Sequence, residues 1–132
     1  MTETKSLQEV MQEYPQLCAM GYRPKWAADE FGVFSGSRAD LAADVEQFEK
    51  ARAWISENLE PRKTFNHFYH SYVLKHICEL HTGYITNGTF IAAMIAEGYN
   101  VRTFPGTLNP CFNVTNASVR RADLMDTQAA RP

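Results

Sequence analysis

All four histidines of the chain lie between His67 and His81, with His70 and His76 inside that stretch. Imidazole can ligate a metal, relay a proton or change charge near neutral pH. His67 and His70 stand three residues apart, and Cys78 and His81 repeat that spacing, so four ligand types exist on paper. On one continuous helix the two pairs would be roughly two turns apart, too far to share an ion. Neither pair has a compact zinc pattern, and no metal or other cofactor is expected. Tyr69, His70, His76 and Glu79 contain the groups of an acid–base cluster. Catalysis would require hydrogen-bond reach between them, which spacing alone does not supply. No Walker-type glycine loop or zinc-protease motif accompanies them. The chain is therefore expected to have no catalytic residues and to act by binding.

Two kinds of binding surface can be drawn from the residues. The stretch from Lys75 to Ile91 has the outline of a helix-turn-helix, with Gly83 ending one helix and Thr86 or Asn87 beginning the next. Thr86, Asn87 and Thr89 would then meet base edges or phosphates, aided by free N–H groups at that helix end. Arg62, Lys63, Lys75 and His76 would contact the phosphate backbone. The second helix is poor in Arg and Lys, and any pair of antiparallel helices shares this outline. Nucleic-acid binding is accordingly the alternative reading. The leading one is a protein partner held by Trp26, Phe31 and Phe34, an apolar centre, with Asp40, Asp44, Glu46 and Glu49 as a charged rim.

Charge is segregated along the chain. Residues 1–60 carry eleven acidic and six basic side chains, a balance of −5; residues 61–132 carry four and seven, a balance of +3. Such a division can steer a polyanion toward one face. Cys18, Cys78 and Cys111 are odd in number and form no recognisable pair, which fits reduced thiols in the cytoplasm. Neither a signal-peptide pattern nor a run of about 20 apolar residues is found, so no membrane partner is expected.

These residues must be positioned by a 132-residue chain with 45% hydrophobic content, enough for one domain with a real core. Ser6 to Glu9 reads as a capping box for a helix with Leu7, Val10, Met11 and Tyr14 on one side, stopped by Pro15. Residues 15–37, broken by proline and glycine, read as an irregular aromatic-rich arm packed on the domain, with a helical turn from Trp26 to Glu30. From Ser37 to Pro61 the spacing of Leu41, Val45, Phe48, Ile55 and Leu59 predicts one amphipathic helix. A second is predicted from Phe65 to His81, burying Phe65, Phe68, Tyr69, Tyr72, Val73, Ile77 and Leu80. A third runs from Thr86 or Asn87 to Ala96 or Glu97, ended by Gly98, and residues 62–99 thus form a helical hairpin module. Residues 111–115 suggest a strand paired with 99–103. Asn116 would cap a last helix containing Val119, Leu124 and Met125, with Ala129 to Pro132 fraying.

The expected fold class is mainly α: a small helical domain with a helix-turn-helix-like hairpin and a minor β-hairpin. Residues 62–115 also resemble small uncharacterised proteins of bacteriophages and other mobile elements. The resemblance rests on Ser71-Tyr72-Val73-Leu74-Lys75-His76, on Tyr84 to Ala93, on Gly98-Tyr99, and on Asn109-Pro110 with Phe112-Asn113-Val114. It implies a protein of the host-cell cytoplasm that works on nucleic acid or blocks another protein, and it carries no established activity over to this chain.

Overall fold

A computed structural model describes residues 5–129, including every side chain among them except those of Glu30 and residues 124–129. The expected fraying of Ala129 to Pro132 and the packing of Leu124 and Met125 lie outside what is described. Helix α1 (Leu7–Glu13) begins at the predicted capping box: the Ser6 hydroxyl accepts from the Glu9 N–H while the Glu9 carboxylate accepts from the Ser6 N–H. Leu7, Val10 and Met11 are its buried side.

The proline- and glycine-rich arm contains more order than its composition suggests. Strands β1 (Leu17–Cys18) and β2 (Gly21–Tyr22) pair antiparallel. Gly21 sits at φ +140°, and a Cβ there would lie 2.4 Å from the Leu108 carbonyl oxygen, so only glycine fits. A 3₁₀ turn at Glu30–Gly32 replaces the helical turn expected at Trp26 and leads directly into α2 (Val33–Ala42). Gly32 has no side chain to cap that helix. Asp29 does so from further back, accepting from the N–H groups of Phe34 at 2.7 Å and Ser35 at 3.3 Å and from the Ser35 hydroxyl.

The long helix predicted from Ser37 is two helices, α2 and α3 (Val45–Asn58), separated at Ala43 and Asp44. Asp44 is the N-cap of α3, and its carboxylate is drawn across to accept from the Thr89 hydroxyl at 2.7 Å. The break changes the buried face. Leu41, Phe48, Ile55 and Leu59 are buried as expected, whereas Val45 is exposed.

A larger correction concerns residues 61–70. They form strand β3 (Pro61–His70), and helix α4 (Ser71–Thr82) starts only after it. The spacing of Phe65, Phe68, Tyr69 and Tyr72 is helical, but tertiary pairing overrides it. β3 pairs antiparallel with β5 (Cys111–Val114), which pairs on its other side with β4 (Val101–Arg102), giving the order β3–β5–β4. The pairing of β5 with β4 matches the hairpin expected for that region. β3 is strongly bulged between Pro61, Asn66 and His70, and Asn66 satisfies the backbone groups left over. Its amide donates to the Val114 carbonyl and its oxygen accepts from the N–H groups of Phe68 and Tyr69. Because β3 is not helical, Phe68 is exposed, and Tyr72 and Leu80 also face outward.

Helix α5 (Asn87–Ala96) is the centre of the fold. Thr86, one of the two starts expected, caps it, and every one of its residues is buried. It packs against α1, α3, α4 and the β1–β2 hairpin. The last helix, α6 (Asn116–Ala129), is capped by Thr115, one residue before the position expected, through the Ser118 N–H; Val119 and Ala122 join the core. The whole is a mainly helical domain with two small antiparallel sheets.

Candidate functional site

The site is built on a buried polar junction where α4 and α5 begin. The Ser71 N–H donates to the Pro110 carbonyl, and its hydroxyl donates to Asn87 Oδ1 at 2.9 Å. Asn87 Nδ2 donates to the Met20 carbonyl at 3.1 Å and to Asn109 Oδ1 at 2.8 Å. One amide therefore ties the first hairpin, α4, α5 and the loop before β5 together, with its own capacity spent internally.

In front of this junction lies a cleft of about 670 Å³ between α2 and α4. Its rim includes the exposed apolar side chains of Met20, Val33, Tyr72 and Tyr84. Its floor carries charge. Lys75 is only 5% exposed, with Nζ 2.7 Å from Glu79 Oε1 and 5.0 and 5.2 Å from the ring centroids of Tyr72 and Tyr84. A buried ammonium needs such compensation from a carboxylate and from aromatic faces. His76 Nδ1 stands 3.5 Å from the same carboxylate oxygen, and its ring meets Tyr72 edge-on. Asp40 enters from α2, with no cation within ion-pair distance among the described residues.

The cleft joins residues drawn from both candidate surfaces, Asp40 from one and Lys75, His76, Thr86 and Asn87 from the other. The remaining predicted residues are dispersed. Phe31 is fully exposed at φ +58°, Phe34 lies beneath the Arg23 guanidinium, and Trp26 borders a different groove. Asp44 bonds to Thr89, while Glu46 and Glu49 pair with Lys50 and Arg52 on the surface of α3. Arg62 turns its guanidinium onto the carbonyls of Thr64 and Phe65 in its own strand; Lys63 is exposed beside it.

The recognition-helix geometry needs correction. Asn87 and Thr89 are buried, and Lys75 is enclosed in its ion pair. The N-terminus of α5 is covered: the Gly88 N–H donates to the Ala19 carbonyl and the Thr89 N–H to the Thr86 hydroxyl. A helix wrapped by other elements on every side cannot enter a DNA groove. The histidines also separate, His67 lying edge-on to Phe104 and His81 stacking on Trp54. No group of three or more His, Cys, Asp or Glu side chains is placed to hold a metal among the described residues. Of the acid–base set, His76 and Glu79 adjoin, whereas Tyr69 packs on Phe68.

The rim residues Met20, Val33 and Tyr84 were missed by sequence reasoning, because they come from three segments far apart in the chain. The aromatic character of Tyr72 and Tyr84 on either side of Lys75 was the available signal. None of the described helices is long and apolar enough to cross a membrane. Comparison with protein-family models, curated proteins and solved structures finds no match to this chain.

Proposed function

We propose that this chain is a non-enzymatic protein-interaction module of the cytoplasm, regulatory or inhibitory in kind and of bacteriophage or mobile-element origin. The cleft between α2 and α4 is its receiving surface. The observation that carries the reading is the convergence of exposed Met20, Val33, Tyr72 and Tyr84 around one concavity with a charged floor. Exposed aromatic and apolar side chains gathered around one concavity can serve as the anchors of a protein-binding surface. The buried Lys75–Glu79 pair keeps the floor preformed, so a partner segment would meet an ordered surface. The origin rests on the resemblance of residues 62–115, and the cytoplasmic setting on three free cysteines.

The test is affinity capture from host-cell extract with the native chain, Tyr72→Ala, Tyr84→Ala and Phe68→Ala. Phe68 is an exposed aromatic outside the cleft and serves as the control. The expected result is a protein retained by the native chain and by Phe68→Ala and lost with either tyrosine variant. Calorimetry with the purified partner should reproduce that order. A partner held equally by all four chains, or no saturable complex, would overturn the assignment.

A further inference from the structure

A second concavity, of about 400 Å³, runs between residues 22–26 and residues 103–105. Its chemistry differs from that of the cleft. Tyr22, Trp26 and Phe104 supply aromatic surface and Lys25 a cation, and none of the lining residues is a carboxylate. Exposed Arg102, next in sequence to the lining residue Thr103, has its guanidinium 5.8 Å from the Phe104 ring centroid, and His67 meets the same ring at 6.1 Å.

Trp26 is unusual in being both held and uncovered. Its indole N–H donates to the Pro105 carbonyl at 2.9 Å, bridging the two walls, yet the side chain is 73% exposed. The loop that carries it is braced in turn. Ala27 N–H donates to the Pro24 carbonyl, and the Arg23 guanidinium donates twice to the Ala27 carbonyl. A large ring fixed in place without burial contributes little to the core. It is well suited to stack on a flat ligand, since its ordering cost is already met in the free protein.

We infer that this groove binds single-stranded nucleic acid, with a base stacked on Trp26 and phosphates held by Lys25 and Arg102. Aromatic platforms beside cations are the physical requirement for such binding, and neither Lys25 nor Arg102 has a carboxylate within ion-pair distance among the described residues. The lack of carboxylates disfavours a basic peptide and matches a polyanion. The reading is independent of the protein-binding cleft, which shares no lining residue with the groove.

The experiment is fluorescence anisotropy with labelled oligothymidylate of roughly 12 nucleotides, alongside a duplex of equal length. Binding to the single strand should weaken about fivefold between about 0.05 and 0.15 M salt if two cations release counterions. Trp26→Ala should weaken it by about fivefold or more. Lys25→Glu should reduce both the affinity and the salt dependence. Trp54 is buried, so quenching of exposed tryptophan emission reports contact at Trp26 directly. Thermal melts monitored by circular dichroism establish that the variants remain folded, and Lys25 is exposed enough to serve as the check independent of Trp26. No binding by about 0.1 mM strand would overturn the inference. So would equal affinity for the duplex, or affinity unchanged in folded Trp26→Ala and Lys25→Glu.

Discussion

Gly88 shows how much of this fold depends on the absence of one methyl group. A Cβ at this position would fall 1.8 Å from the Cys18 carbonyl oxygen, far inside contact distance. The close approach lets the Gly88 N–H reach the Ala19 carbonyl and seats α5 against the first hairpin. Gly88→Ala must push the hairpin and helix apart, at a cost of about 2–3 kcal/mol or more. Urea unfolding should show that loss as a lower midpoint; an unchanged midpoint would mean that the hairpin can move aside freely. The sequence displayed Asn87-Gly88 only as a helix start. The need for glycine came from a backbone nearly seventy residues earlier, which no local pattern encodes. Lys75 carries the same lesson. Its position on a helical face suggested a phosphate contact, whereas a glutamate one turn away and two tyrosines draw it inside.

Three helix ends were readable in the sequence, whereas the starts of α2 and α4 were not. The Ser6–Glu9 box, the Thr86 cap and the Gly83 stop stand where local chemistry places them, because each depends on residues within one turn. Asp29 is a less local cap. Its hydrogen bond from the Ser35 hydroxyl comes first in lowering its pKa, with the Phe34 and Ser35 N–H groups assisting against partial desolvation. A carboxyl with a lowered folded pKa contributes stability above its unfolded value, about 3.9, and loses it as pH falls through the folded value. The melting temperature of Asp29→Ala should therefore lie below that of the native chain at neutral pH. The gap should narrow as the pH is taken below about 3.9; a gap constant with pH would assign the effect to packing. β3 was the least readable element. Its aromatic spacing suits a helix as well as a strand, and its partner β5 lies some forty residues downstream. Bulges remove the strict alternation that would have separated the two.

At the scale of the molecule, charge segregation and aromatic content were visible in the chain, but the surfaces they form were not. Asp40 and Tyr84 line one cleft only because α2 and the α4–α5 loop come to its two sides, and Trp26 and Phe104 one groove only because the arm folds against the β4–β5 loop. Burial of Leu41, Phe48, Ile55 and Leu59 was the securer expectation. Leu41 and Phe48 are both 0% exposed, within one core cluster that extends from Leu7 to Ala122. Leu41→Asp or Phe48→Asp would place a carboxylate where water cannot reach it, and either should unfold the whole domain in one transition. A native-like circular-dichroism melt for either variant would show that the core tolerates separation at α2 and α3.

The enclosure of α5 also bears on how a chain like this can be inherited. Residues 62–115 contain the helix but not α1, α3 or the hairpin that cover it. Moved alone into another gene, they would bring a ten-residue apolar helix with much of its wrapping left behind. A recombining genome could exchange the surface loops around Trp26 or Tyr84 piecemeal, but it could pass on α5 only together with its enclosure.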